Sequence, residues 1–120
     1  MSNFYKKLSN AGVIISDLIE NIGGDNTEVI DRIFHIFLED DNMVKLRKCI
    51  ENKQYKDAFK YSHTLKGVLA SLALQDLYEK CQIVVEKLRN NNYENIEMDF
   101  KEFDDEYEKT REKILEALND

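Results

Sequence analysis

The stretch that decides the fold reads YSHTLKG and runs from Tyr61 to Gly67. Residues advance by about 100° along an α-helix, so alternating spacings of four and three residues place side chains on one face. Small and apolar residues follow this spacing through the stretch, at Ala58, Ser62, Leu65, Leu69 and Leu72. The pattern predicts a helix whose inner face packs against neighbouring helices.

His63 points about 140° away from that inner face, so we expect its imidazole to be exposed. Phe59 lies one turn before it, Gly67 one turn after it and Ala70 two turns after it. A glycine inside a helix costs roughly 1 kcal/mol relative to alanine, so Gly67 indicates a need for open space. Lys66 adds an ammonium group beside the histidine. A solvated surface histidine is the commoner case, but this set is typical of a nucleophilic or phosphoryl-carrying imidazole.

The composition limits the fold class. The chain has 120 residues, of which 42% are hydrophobic and 34% charged, and this indicates a single globular domain over residues 1–120. Four glycines and no proline favour long helices, and hairpin signals are absent. We therefore predict an all-α fold: an up-down-up-down antiparallel four-helix bundle with a short additional N-terminal helix.

The first half of the chain contains two of the expected helices. Residues 1–10 are either a short leading helix or an arm. The small helix covers 13–22 and ends at Gly23-Gly24, a natural C-terminal stop. Asp25 or Asn26 caps the next helix, which we expect to continue for about 40 Å to Ile50.

The second half contains three expected helices. The polar break at 51–54 is short enough to make the His63 helix antiparallel to its predecessor, ending near Leu72. Asp76 is the expected cap of the fourth helix, which stops at 90–92. Its inward residues are Leu77, Cys81, Val84, Val85 and Leu88. Those of the last helix are Ile96, Phe100, Phe103, Tyr107, Ile114 and Leu118.

Charge is unevenly distributed along the chain. The net charge of -7 argues against nucleic acid as a partner, and residues 94–120 hold eleven acidic and four basic residues. The His63 helix is instead a basic strip, suited to an acidic partner surface, with Asp57 opposed by Lys53, Lys56, Lys60 and Lys66. The N-terminus lacks a signal-like apolar region and no apolar run is long enough to span a membrane, so we expect a cytoplasmic monomer. In that reducing compartment Cys49 and Cys81 are expected to be buried hydrophobes.

Several kinds of chemistry lack their sequence signals. No phosphate-binding glycine loop occurs, so we expect no use of ATP and no kinase activity. We expect no metal site: His35 and Glu39 have ligand spacing, but an ordinary surface hydrogen bond is favoured over ligation. His35 should also be exposed, yet it lacks the following lysine and glycine. Ser62 faces the inner side of its helix, which argues against a hydrolase triad.

A series of landmarks follows the chain in order: Gly23-Gly24-Asp25, Phe37-Leu38-Glu39-Asp40, the turn at 51–55, His63-Thr64-Leu65-Lys66-Gly67, Leu72 and Leu77. Together they resemble the bacterial histidine-containing phosphotransfer (HPt) domain. The resemblance runs from about Val13 to Leu88, while the last helix fits by length only.

The resemblance implies that His63 takes a phosphoryl group from a receiver-domain aspartate and passes it to another receiver. Lys66 would steady the phosphoryl charge and Gly67 would keep the surface open. Phe59, Lys60 and Ala70 would form the docking surface around them. The implied partners are response-regulator receiver domains and a hybrid histidine kinase, with no cofactor in this chain and Mg²⁺ supplied by the receiver. The starting Met favours a free-standing carrier.

This chain departs from the HPt pattern at three positions. Ala73 stands where the family commonly has a glycine, and Val68 and Leu69 are bulkier than the usual small residues. We expect Ala73 to let the helix run slightly longer and Val68 to shift the helix beside it. The competing functions are a phosphate-independent adaptor that docks receivers and a structural helical module. The joint presence of His63, Lys66 and Gly67 argues against the adaptor, and a structural module explains the buried inner face but not the exposed glycine.

Overall fold

The structure, a computed structural model, describes residues 2–119, so Met1 and Asp120 lie outside the described part of the predicted domain. The prediction of an all-α fold is confirmed for these residues, which form seven helices joined by short connections. Their bounds are α1 Ser2–Asn10, α2 Ile15–Ile22, α3 Thr27–Glu39, α4 Asn42–Glu51, α5 Tyr55–Ser71, α6 Gln75–Arg89 and α7 Ile96–Leu118. Within this range no helix is both long and apolar enough to cross a membrane.

Helix α5 lies between α4 and α6, α6 packs against α7, and α7 also contacts α1 and α3. The inner face predicted for α5 is confirmed, because Ala58, Ser62, Leu65 and Leu69 are all buried. The predicted inward residues of α6 are buried as well. Those of α7 are buried except Leu118, which is half-buried, and Thr110 and Ala117 join the core without having been predicted. Hydrophobic periodicity therefore located the core of the longest helices correctly.

The prediction of one unbroken helix to Ile50 is wrong. The helix stops at Glu39, and Asp40 takes an extended conformation with φ −66° and ψ 127°. The Asp40 carboxylate accepts a hydrogen bond from the Asn42 backbone N–H at 2.7 Å. Arg111 of α7 donates to the Leu38 carbonyl at 3.0 Å. The Asp40 carboxylate and the Arg111 guanidinium thus satisfy backbone groups that would form helical hydrogen bonds in a continuous helix.

Two charged contacts hold the outer helices in place. Arg47 of α4 donates from Nε and Nη2 to the Asp104 carboxylate of α7, at 3.0 and 2.7 Å. Tyr5 of α1 donates a hydrogen bond to Asp25, and burial of its ring together with this carboxylate raises the pKa of Tyr5 to about 12. Residues 2–10 are thus a docked helix, which resolves the choice between helix and arm.

Two helix starts were predicted from capping residues. Asn26 does cap α3, since its Oδ1 accepts a hydrogen bond from the Val29 backbone N–H at 3.2 Å. The Asp76 prediction is wrong, because α6 starts at Gln75 with Leu74 in the cap position and no side-chain cap bond. Asp76 lies in the first turn instead, where a carboxylate still interacts favourably with the helix dipole.

The turn between α5 and α6 contradicts the expectation that Ala73 lengthens the helix. α5 ends at Ser71, and Ala73 adopts a left-handed conformation with φ 58°. The backbone N–H groups of Ala73 and Leu74 bond to the carbonyls of Ala70 and Leu69, both at 3.1 Å, as in a Schellman cap. The Ala73 carbonyl then accepts from the Ile14 N–H at 3.0 Å. These hydrogen bonds outweigh the cost of placing an alanine where glycine is preferred.

We expect Ala73→Gly to stabilise the protein by about 0.5–1 kcal/mol. A left-handed alanine costs roughly 1–2 kcal/mol, and the greater freedom of glycine in the unfolded chain offsets part of the gain. Urea unfolding followed by circular dichroism measures the change. Ala70→Gly, an exposed position inside α5, is the matched control and should destabilise by about 1 kcal/mol. A lower midpoint for Ala73→Gly would contradict the strain argument.

Candidate functional site

His63 lies on the exposed face of α5, as predicted. The neighbouring Ser62 is fully buried, and its Oγ donates to the Phe59 carbonyl at 3.0 Å. The Cys81 thiol of α6 donates to the Ser62 carbonyl at 3.5 Å. Because the Ser62 side of the helix is packed against α6, His63 is directed towards solvent. Ser62 is consequently not available as a nucleophile.

Phe59 lies beside the imidazole ring of His63, and Arg89 in turn lies over Phe59. The Phe59 and His63 ring centroids are 5.7 Å apart, with the planes inclined at 38°. The guanidinium of Arg89, at the end of α6, lies over the Phe59 ring, with its Cζ 5.2 Å from the ring centroid. Arg89 also bonds through Nε to Glu86 at 3.3 Å. No pattern in the sequence pointed to Arg89, since only the pairing of α5 with α6 brings it to this surface.

Lys66, the predicted charge-stabilising residue, is half-buried at the next turn of α5. It has no carboxylate within ion-pairing distance among residues 2–119, so its ammonium group is open to an external anion. Its charge acts on Cys81: burial raises the pKa of that thiol to about 12, and the Lys66 ammonium opposes the rise. Cys81 therefore stays a neutral, buried thiol, as does Cys49, which is also buried.

Gly67 faces open space. A Cβ placed on this residue would meet no heavy atom within 4 Å, apart from the backbone of its own helical turn. Nothing in the packing of the described residues thus requires a glycine here, although the residue costs roughly 1 kcal/mol of helix stability relative to alanine. The missing side chain keeps the surface beside His63 clear.

A groove of about 900 Å³ adjoins the Gly67 side of α5. It exists because α3 packs against α7, leaving space between α3 and α5. Asn21 of α2 closes one end by donating to the Ala70 and Ser71 carbonyls at 3.3 and 3.2 Å. The lining is mainly apolar and includes Ile36, which is 60% exposed. The other apolar lining residues are Ile22, Ile33, Phe37, Val68, Ala70 and Leu72.

The predicted docking residues share this surface of α5. Phe59 is half-buried against Arg89, while Lys60 is exposed with its Nζ 3.9 Å from Asp57. Ala70 is exposed and lines the groove. We call Phe59, His63, Lys66, Gly67 and Ala70 the His63 face, because the structure places all five along one helix. Sequence spacing predicted this face, but it predicted neither the position of Arg89 nor the side of the groove that α3 supplies.

His35, the other histidine, is exposed on α3 as expected. Its Nδ1 lies 2.9 Å from the Asp31 carbonyl and 3.5 Å from the Asp31 carboxylate, so the bond goes to the preceding turn and not to Glu39. Across residues 2–119 no group of three His, Cys, Asp or Glu side chains is arranged to hold a metal ion.

Comparison of the chain with models of known protein families, with curated proteins and with solved structures gives no match. The geometry of the His63 face and of the adjoining groove therefore carries the functional argument.

Proposed function

We propose that this protein is a histidine phosphotransfer protein of a multistep two-component phosphorelay. His63 accepts a phosphoryl group from the aspartate of one receiver domain and passes it to another. The observation that carries the proposal is the His63 face. An exposed imidazole, an ammonium that pairs with no carboxylate of residues 2–119, and an open glycine lie on adjoining turns of a helix whose other side is buried.

The chemistry needs little from the carrier. The unprotonated ring nitrogen of His63 attacks phosphorus as the bond to the aspartyl oxygen breaks, and the electron pair leaves with the receiver's carboxylate. An acyl phosphate is already activated, so access and charge stabilisation are the main requirements. Lys66 stabilises the phosphoryl oxygens. Mg²⁺ belongs to the receiver's carboxylates, and no ATP-dependent kinase activity is proposed for this chain.

The proposed architecture is the up-down-up-down antiparallel four-helix bundle, built from α3 with α4, α5, α6 and α7. The packing of α4 on α5, α5 on α6 and α6 on α7 supports it, and so does the contact of α3 with α7. The connections between α4, α5, α6 and α7 are short, as antiparallel neighbours require. The short additional N-terminal helix of the predicted fold corresponds to α2, and α1 precedes it in the chain.

Receiver domains are the proposed partners, with a hybrid histidine kinase as the upstream source of phosphate. The groove beside Gly67 fits an apolar helix or loop of the receiver, because it is mainly apolar and adjoins the accepting histidine. Phe59, Lys60 and Ala70 extend the contact along α5. We propose that the protein acts as a cytoplasmic monomer that receivers approach in turn.

The direct test is phosphoryl transfer from labelled phospho-receivers to the purified protein. The label should be acid-labile and base-stable, as expected of a phosphoramidate, and peptide mapping should locate it on His63. Binding without label, across several receivers, would support the adaptor function instead. If the protein neither binds a receiver nor takes up the label, a structural helical module is the function that remains.

We expect Ile36→Glu to weaken receiver docking about tenfold while leaving the fold intact. Ile36 is 60% exposed, so the substitution creates no cavity, but it places a charge in the apolar groove. The half-saturating receiver concentration in the transfer assay measures the effect. Leu115→Glu, also exposed but on α7, is the matched control and should transfer normally. Equal behaviour of the two variants would remove the groove from the docking surface.

A further inference from the structure

Phe59 joins the His63 face to a second cluster of side chains at the beginning of α5. There the Tyr55 and Tyr93 rings stack with centroids 4.1 Å apart and planes inclined at 17°. A concavity of about 490 Å³ lies on either side of the pair. We call this surface the tyrosine ridge and define it by Tyr55, Lys56, Phe59, Arg89, Tyr93 and Met98.

Hydrogen bonds hold the loop that carries Tyr93, although the ridge is exposed. Tyr93 donates from its hydroxyl to Asn91 at 2.9 Å, and Lys87 donates to the Glu94 carbonyl at 3.0 Å while pairing with Asp99. These bonds fix the loop between α6 and α7. Tyr93 nevertheless remains 39% exposed and Met98 71% exposed. An aromatic surface presented in one fixed conformation loses little entropy when a partner binds.

The charge of the ridge is opposite to that of the protein as a whole. Lys53 and Lys56 line its two concavities, and within residues 2–119 neither has a carboxylate at ion-pairing distance. Arg89 is a third cation, although its guanidinium pairs with Glu86 at 3.3 Å, and Glu97 is the one acidic side chain among the lining residues. A basic aromatic surface on a chain of net charge -7 selects an acidic partner.

We propose that the tyrosine ridge is a second docking contact for the receiver, which binds an acidic segment carrying an exposed apolar or aromatic side chain. The proposal rests on the proposed function and names the part of the partner that meets the start of α5. Phe59 belongs to both surfaces, so a partner seated over His63 extends naturally onto the ridge. The donor also carries an anionic aspartyl phosphate among carboxylates, which the ridge cations attract.

Single-stranded nucleic acid is the other ligand that stacks on exposed aromatic rings beside cations. The observations favour the acidic protein segment, because a nucleic acid strand extends beyond the ridge and meets the acidic α7, which follows directly after the loop bearing Tyr93. Nucleic acid is therefore treated as an outcome of the test.

The test uses Tyr93→Ser, Lys56→Gln and Met98→Glu with a phosphorylated receiver that labels the wild-type protein. We expect each variant to raise the half-saturating receiver concentration about tenfold, with the maximal transfer rate within about twofold of wild type. Lys56→Gln should also reduce the salt dependence. Met98→Glu keeps both tyrosines and only adds a repelling charge, so it separates docking from folding. Lys113→Gln, near the far end of α7, is the matched control and should be unchanged.

The same substitutions in a His63→Gln background distinguish failure of this proposal from failure of the proposed function. That background should dock the receiver without being labelled, so binding of a fluorescent receiver measures docking separately from phosphoryl transfer. Normal receiver binding by the ridge variants would overturn the docking role of the tyrosine ridge, even if His63 of the wild-type protein is labelled. If the ridge variants bind the receiver more weakly but the wild-type protein is never labelled, the docking role of the tyrosine ridge is kept and the phosphotransfer function is rejected. Tighter binding of a single-stranded oligonucleotide than of any receiver would overturn the choice of partner.

Discussion

Replacement of His63 by glutamine is expected to abolish phosphoryl labelling, a loss of at least about a thousandfold, without changing the helical circular dichroism. The imidazole supplies the attacking nitrogen, and an amide cannot replace it. The fold should be unaffected, because His63 is exposed and surface substitutions usually change stability by less than about 0.5 kcal/mol. Transfer from a labelled receiver and thermal unfolding measure the two effects.

His35→Gln provides the matched control for that experiment. His35 is also an exposed histidine in a helix, but it lies on α3 and bonds to Asp31. It should therefore keep normal labelling. Labelling that survives in His63→Gln, or that is lost only in His35→Gln, would reject the assignment of the accepting residue.

Gly67→Arg is expected to reduce transfer by about a hundredfold or more while leaving the protein folded. The substitution creates no clash at its Cβ, since outside its own helical turn a Cβ at this exposed position meets no heavy atom of the described residues within 4 Å. It fills the space that a receiver's backbone would occupy next to His63, and misplacing a reacting group by about 1 Å can cost about a hundredfold in rate. Transfer kinetics and circular dichroism on the same sample measure both effects.

Two companions separate bulk at the His63 face from bulk elsewhere. Gly67→Ala should stabilise α5 by about 1 kcal/mol, which would show that the glycine is not kept for folding. Asn10→Arg, at the exposed end of α1, adds the same side chain away from α5 and should transfer normally. Normal transfer by Gly67→Arg would remove the steric argument.

The sequence predicted α5 well because its information is local. A spacing of four and three residues placed Ser62 inside and His63 outside, and both positions are confirmed. Lys66 and Gly67 follow on adjoining turns of the same helix, so their relation to His63 did not depend on other helices. A site built on one helix can therefore be predicted from periodicity alone.

The break at Asp40 and the turn at Ala73 were missed because local cap bonds and hydrogen bonds from distant residues act together there. Asp40 fits the helical pattern, but its carboxylate accepts from the Asn42 N–H. The Leu38 carbonyl before it accepts a hydrogen bond from Arg111 of α7. Alanine strongly favours helix, yet Ala73 is held left-handed by the cap bonds and by its carbonyl's bond to Ile14. Local cap bonds and tertiary hydrogen bonds together outweighed helical preference at both positions.

The groove and Arg89 were missed for a related reason. Each depends on the register between helices, which a single sequence does not specify. The 60% exposure of Ile36 becomes meaningful only once α3 is known to pack against α7 rather than α5. Arg89 reaches Phe59 only because α6 runs beside α5 in the observed alignment.

The break at Asp40 also divides the chain into segments on which selection can act separately. α4 is tied to α5 and, through Arg47, to α7, so substitutions of its buried residues disturb the core. α3 has its own C-terminal cap and leaves Ile36 in the groove, outside that core. After gene duplication, one copy can change its groove residues and acquire a new partner while the histidine helix stays the same. For the proposed phosphotransfer carrier, insulation between paralogous signalling routes can then arise from a few substitutions on α3.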